Sequence, residues 1–220
     1  MNLTDLKKVA KLIPWNLIEG VEGIGKIDVP SRYDAESKDA LRWEYEQEFY
    51  HNGFTYEGAF YILPLLIQGI KIENNLEKQR AYDNINTILG WSSAGESFCS
   101  FEINNAPFKY YTPSIKGKAI KMPLDMACEF AIFNEIEFFI ADLKENVTGK
   151  REEAIDLIAK LDGYPKFVVN KLLQTIKDAD DNKFKDYIIP ELIYFNDVNK
   201  FLVKEELLNR IEVAKTGKKA

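Results

Sequence analysis

The feature that most constrains this chain is a helical periodicity of its apolar residues, which runs from Asp34 to Val213 and is interrupted once, over residues 91–124. Apolar residues recur at the spacing of one helix face, and capping residues or glycines separate successive segments. In the interrupted stretch the periodicity is lost, and Gly, Ser, Asn and Pro are frequent. The alternation over residues 97–103, SFCSFEI, and the aromatic residues over 108–111 could form two short strands of a hairpin within it. The sequence therefore predicts an all-α chain with one irregular insertion at about 91–124.

The predicted helices have short connections between them. Asp34 is expected to cap a helix over 34–49, and Thr55 is expected to cap a helix over 55–72. The stretch over residues 51–54 separates these two helices. Residues 1–30 hold several glycines and predict an N-terminal arm after one short helix. The remaining helices are expected at about 34–49, 55–72 (with Pro64 inside), 76–89, 124–146, 150–161, 164–178, 181–195 and 199–213.

These helices also fall into pairs that recur with a period of about 30–45 residues. The pairs are 55–72 with 76–90, 124–146 with 150–161, and 164–178 with 181–195. In each pair the first helix is the more apolar one. Stacked pairs of this kind form an α–α superhelix, so a single α-solenoid domain over 1–220 is predicted.

Two stretches resemble bacterial HEAT-like repeat proteins. Residues 51–66, HNGFTYEGAFYILPLL, have the His-x-Gly-x-x-Tyr-Glu turn and helix start of that group, followed by an apolar run with a proline and two leucines. Residues 151–158, with the pattern R-x-x-A-x-x-L-I, resemble the start of a HEAT second helix. The resemblance covers residues 34–90 well and 124–161 loosely. It implies a HEAT/armadillo-like solenoid that binds a protein partner, as immunity proteins do.

Charge and composition exclude several classes of partner. The chain carries 29 Lys and Arg against 35 Asp and Glu, a net charge of -6, so a nucleic-acid-binding face is not expected. No apolar run fits a secretory signal, and the richest apolar stretch, 126–143, carries four acidic residues, so no membrane partner is expected. Two cysteines fit a reducing compartment, and a cytoplasmic location is predicted.

No motif predicts a metal or a cofactor, and we expect no enzyme activity. Cys99 and Cys128 lack the spacing of a metal site. The stretch over residues 90–94, GWSSA, fails as a nucleophile elbow at its last position. The glycines over residues 20–25 are in the wrong order for a dinucleotide loop.

His51 and a pair of carboxylates each allow both a structural and a functional interpretation. His51, the one histidine of the chain, could act as a general base beside Glu57, but fixing the turn is the preferred role. The carboxylates of Asp125 and Glu129 share a helix face, but no Glu-x-x-His repeat accompanies them. A solvated acidic face is the preferred interpretation there.

The aromatic residues of the insertion are the best candidate site. Tyr and Trp dominate binding hot spots because they bury a large area at a small entropic cost. The alternative is that these rings pack the insertion onto the helices. In that case the site is expected around Lys78, Asp83, Glu152 and Asp156, on the polar faces of second helices. The predicted partner-binding residues are Trp91, Phe98, Phe108, Tyr110 and Tyr111.

The function predicted from these features is protein–protein binding by a HEAT-like scaffold. Its acidic charge would complement a basic target, so an immunity protein that neutralises a basic bacterial toxin is one such function. An uncharacterised enzyme with a site near 91–124 is the alternative. The predicted core residues of the 124–146 helix are Phe130, Phe133, Ile136 and either Phe139 or Ile140.

Overall fold

The structure is a computed structural model, and it describes residues 3–27, 29, 49–72, 75–90, 92–93, 97–114, 119–143 and 150–216. Over these residues the chain is mostly helical, with small β-sheets. The predicted 34–49 helix, apart from Phe49, and the predicted site residue Trp91 lie outside the described part. The chain divides into two compact units, Met1–Glu135 and Ile136–Ala220.

The first unit contains four helices and eight short strands among its described residues. The elements are α1 (Leu3–Leu12), a 3-10 turn (Trp15–Leu17), β1 (Glu19–Gly20), β2 (Gly23–Ile24), β3 (Tyr50–His51), β4 (Phe54–Thr55), α2 (Glu57–Ile72), α3 (Asn75–Gly90), β5 (Ser92–Ser93), β6 (Phe98–Asn104), β7 (Tyr110–Pro113), β8 (Ile120–Pro123) and α4 (Leu124–Phe133).

The predicted helix break at residues 51–54 is a β-hairpin. Asn52 and Gly53 both have positive φ, 51° and 83°, as a two-residue Asn-Gly hairpin turn requires. β3 and β4 pair antiparallel across this turn, and β4 then pairs parallel with β5. The Thr55 hydroxyl donates a hydrogen bond to the carbonyl of Ile88 and so joins β4 to the end of α3. Thr55 is therefore a strand residue, and α2 begins two residues later.

The helix α2 forms the centre of the first unit. Every residue from Ala59 to Ile70 is buried, so this helix is enclosed on every face. It packs against α1, α3, α4 and the strands of the insertion. A Cβ added at Gly58 would lie 2.7 Å from Ile27 and from Phe49, so only glycine allows this approach.

The insertion contains a three-stranded antiparallel sheet with the order β7-β6-β8. The alternating residues 98–103 and the aromatic residues around 110 form the two strands that the sequence indicated, and β8 is an additional one. The described residues are thus mostly helical, as the all-α prediction expects, with a small antiparallel sheet in the insertion.

The helix expected over 124–146 is two helices, which corrects the prediction. α4 ends at Phe133, and the next helix begins at Ile136. The backbone N–H of Glu135 donates to the carbonyl of Ile132, three residues back, so the α-helical hydrogen-bond pattern ends there. Of the expected core residues, Ile136 and Phe139 are buried, whereas Phe130, Phe133 and Ile140 are only half-buried.

The second unit is helical throughout its described residues. α7 packs against α8 and α9, and α8 also packs against α6. Asp181 caps α8 by accepting from the backbone N–H of Lys183, and Asn196 closes the turn after it through two hydrogen bonds with Leu202. The helices are α5 (Ile136–Asp142), α6 (Lys150–Ile158), α7 (Pro165–Asp178), α8 (Asn182–Asn199) and α9 (Lys204–Thr216).

Candidate functional site

The three-stranded sheet places the predicted site residues on different sides. Tyr111 faces the helices and is fully buried, and Phe108 and Tyr110 are buried as well. Phe98 begins β6 on the outer side, where 49% of its surface is exposed. Of the four predicted site residues that the structure describes, Phe98 is therefore the one that offers its ring to a partner.

The inner side of the sheet is held to the helices by an aromatic cluster. The ring of Tyr111 stacks on Phe60 of α2, with centroids 4.6 Å apart and planes 19° from parallel. Phe101 lies 4.6 Å from Phe60 and meets Tyr111 edge-on at 5.3 Å. Phe130 of α4 lies about 6 Å from both Phe101 and Tyr111. These rings account for the order of the insertion, because they supply its anchors.

Hydrogen bonds between side chains also hold the sheet to the helices. Asn134 donates from Nδ2 to the Tyr111 hydroxyl over 3.2 Å, and Lys109 donates to Asn134 Oδ1 over 3.1 Å. The residue that ends α4 therefore also fixes β7. Sequence reasoning missed Asn134, since nothing near it in the chain indicates these distant partners.

The outer side of the sheet is more polar and more open. Lys121 of β8 places Nζ 5.1 Å from the centre of the Phe98 ring, at the distance of a cation–π interaction. Glu102 is exposed and accepts a hydrogen bond from the Ser114 hydroxyl over 2.9 Å. An exposed ring beside a lysine, on a face that also carries an exposed carboxylate, is an arrangement suited to a protein interface.

A second group of residues lies beneath the sheet, around Glu57 at the start of α2. Glu57 accepts hydrogen bonds from the backbone N–H of Glu19 and from the Tyr61 hydroxyl, each over 3.3 Å. Burial raises the pKa of the Glu57 carboxyl, and these two bonds oppose that shift. Burial, reinforced by the charge of Glu57, raises the pKa of Tyr61. Both side chains have hydrogen-bond partners within the fold, so this group has a structural role.

The cysteines are buried thiols within the same unit. Burial is the main reason that the pKa values of Cys99 and Cys128 are raised, so both remain protonated at neutral pH. Cys128 lines a space of about 20 Å³, too small for a substrate. His51, the candidate general base, is exposed in β3 and pairs with Phe54.

The second unit contains a polar cluster between α6 and α8. The Tyr187 hydroxyl donates to Asp156 Oδ1 over 2.6 Å. Burial lowers the pKa of Lys160, against the opposing effect of Asp156, Glu153 and Glu191. Burial also raises the pKa of Glu191, and the charge of Asp156 adds to it. Asp156 is one of the residues of the alternative predicted site, and the sequence does not predict its hydrogen bond to Tyr187.

A cavity of about 340 Å³ lies between α5, α6, α7 and the start of α8. In its wall, the Arg151 guanidinium lies 4.1 Å from the centre of the Phe184 ring and donates from Nη2 to Asp181 over 2.8 Å. Its Nε is buried without a hydrogen-bond partner among the described residues, 3.8 Å from the Glu152 carboxylate. The arginine is thus held by neighbouring side chains of the wall.

Across the described ranges of the chain, no group of three or more His, Cys, Asp or Glu side chains could hold a metal ion. Within the same part of the chain, every helix is too short or too polar to cross a lipid bilayer. No known protein family, no curated protein and no solved structure matches this chain.

Proposed function

We propose that this chain is a protein-binding module, in which the outer side of the three-stranded sheet contacts the partner. The helices would form a HEAT-like solenoid that carries this sheet. Consecutive helices pack on each other within each unit, α2 on α3 and α7 on α8, which supports such a scaffold.

The exposed ring of Phe98 is the observation that carries the proposal. A large aromatic side chain left half-exposed on a sheet face gains apolar contact only from a partner. Lys121 lies against the same ring and would lose water together with it, so a partner would bury a cation–π pair.

The charge of the chain supports a basic partner. The net charge is -6, and complementary charge accelerates association with a positively charged protein. A basic bacterial toxin is such a partner, and an immunity-type inhibitor is the narrower function that we propose. The free, buried cysteines agree with a reducing compartment, so we propose the cytoplasm as its location.

Affinity capture with matched variants tests this function. Phe98→Ser removes the exposed ring of β6, and Phe54→Ser removes a ring of β4 that is 48% exposed, almost the same fraction. We expect a captured protein that Phe54→Ser retains and that Phe98→Ser loses. Identical capture by both variants and the unmodified chain would exclude the outer side of the sheet as the binding surface.

A further inference from the structure

The β3–β4 hairpin carries the one Asn-Gly pair of the sequence at its turn. Asn52 and Gly53 are both exposed there. Because His51 pairs with Phe54 directly across the turn, the Gly53 N–H lies outside the strand pairing. A Cβ built at Gly53 would meet no atom within 4 Å. The Asn52 side chain and the Gly53 nitrogen are therefore both open to water.

The hairpin is also easy to open. Its strands β3 and β4 have only two residues each, as does β5, which pairs with β4. Local opening of such a short surface element costs little free energy. Opening lets the peptide bond between Asn52 and Gly53 rotate, which the closed turn restrains. Gly53 has no Cβ to hinder that rotation or the approach of its nitrogen to the Asn52 side chain.

We propose that Asn52 is a site of spontaneous deamidation, and that its isoaspartate product weakens the hairpin. The Gly53 nitrogen, after losing its proton to hydroxide, attacks Cγ of Asn52. A C–N bond forms, the side-chain nitrogen leaves as ammonia, and a five-membered succinimide ring results. Water then opens the ring at either carbonyl. In total, asparagine and water give ammonia and either aspartate or isoaspartate, so no oxidant or reductant takes part.

The isoaspartate product changes the length of the turn. Its main chain runs through the former side chain, which inserts one extra carbon into a turn that fits two ordinary residues. The strand that follows is the one that joins the hairpin to α3, because Phe54 pairs with Ser92 and the Thr55 hydroxyl donates to the carbonyl of Ile88 over 3.2 Å. Deamidation should therefore loosen this junction. The three-stranded sheet is a different surface, so the inference is independent of the function proposed above.

The test incubates the full chain at neutral and at mildly alkaline pH and follows each asparagine by tandem mass spectrometry. We expect Asn52 to exchange its amide for an acid, and to do so faster at the higher pH. Asn105, which is exposed between β6 and β7 and is followed by Ala106, is the internal comparison. It should convert about tenfold more slowly or less, because the Cβ of alanine hinders ring closure. Isoaspartyl methyltransferase with S-adenosylmethionine then identifies the isoaspartate form by methylating its carboxylate.

Asn52→Gln is the matched variant for the structural consequence. Glutamine would have to close a six-membered ring, so this variant should resist the reaction, and circular dichroism verifies that its helices are retained. After incubation, the unmodified sequence should unfold in denaturant at least about twofold faster than before. The Asn52→Gln protein should unfold at the same rate before and after incubation.

Several results would overturn the inference. If Asn52 stays intact while a synthetic peptide of residues 50–55 converts, the closed turn prevents the reaction in the protein. Equal conversion at Asn52 and Asn105 would show that the turn confers no preference. An absence of methylation would exclude the isoaspartate product. An unfolding rate that incubation leaves unchanged, despite conversion at Asn52, would refute the weakening of the hairpin.

Discussion

Tyr187 donates its hydroxyl hydrogen to Asp156 over 2.6 Å, which joins α8 to α6 at half-buried positions. Removal of the hydroxyl in Tyr187→Phe leaves a carboxylate without this donor. We expect the free energy of unfolding to fall by about 1–3 kcal/mol, measured by urea denaturation. Tyr194→Phe removes a hydroxyl from an exposed ring of the same helix and should have almost no effect. Equal losses in the two variants would mean that the bond contributes nothing specific.

The raised pKa of Glu191 predicts a pH dependence of stability. The folded state binds the proton of this carboxyl more tightly than the unfolded chain, so its contribution is fully present below the ordinary value of 4.5 and is lost as the pH rises through the folded pKa. Glu191→Gln should therefore gain stability over the unmodified protein between pH 4 and pH 7. Thermal unfolding at several pH values measures this difference. Glu212→Gln, at an exposed position of α9, is the control, and a flat difference for Glu191→Gln would refute the prediction.

The two sides of the sheet should respond oppositely to truncation of an aromatic ring. Tyr111→Ala removes a ring that is buried against Phe60 and Phe101, and we expect a loss of about 3–5 kcal/mol in denaturant melts. Phe98→Ala, at the exposed end of β6, should change stability by less than about 1 kcal/mol. Similar losses for both would show that Phe98 also packs in the fold.

Gly58 should be intolerant of even one methyl group. The added Cβ of Gly58→Ala would lie 2.7 Å from Ile27 and Phe49, and overpacking of this kind costs about 1–3 kcal/mol. At Gly53 a Cβ would find open space but a φ of 83°, so Gly53→Ala should cost about 1 kcal/mol through the backbone alone. Guanidinium melts compare the two, and an unchanged midpoint for Gly58→Ala would mean that the start of α2 shifts freely.

The sequence was most informative about elements with local causes. The bounds of α2, α3 and α7 follow from apolar spacing and breaking residues nearby, and they agree with the structure to within two residues. The strands β6 and β7 were visible as alternation and as an aromatic run. The third strand, β8, has Lys121 between the apolar residues Ile120 and Met122, and four residues are too few to show such a pattern.

Features that depend on distant residues could not be predicted in this way. The break after α4 involves Asn134, whose partners Lys109 and Tyr111 belong to the sheet. Aromatic strands do not show which side faces the core, so the burial of Tyr111 and the exposure of Phe98 could not be separated beforehand. The Tyr187–Asp156 bond likewise joins two helices whose pairing the sequence left open.

The parallel pairing of β4 with β5 has a consequence for the kinetics of folding. Phe54 and Ser92 become neighbours only after α2 and α3 have both formed and packed, because the two helices lie between them in the chain. This pairing joins residues that are far apart in the sequence, so it carries a large loop-closure entropy cost. The pairing offsets little of that cost, since each strand has only two residues. We expect this pairing to form after the rate-limiting step, so weakening it should accelerate unfolding and leave the folding rate nearly unchanged.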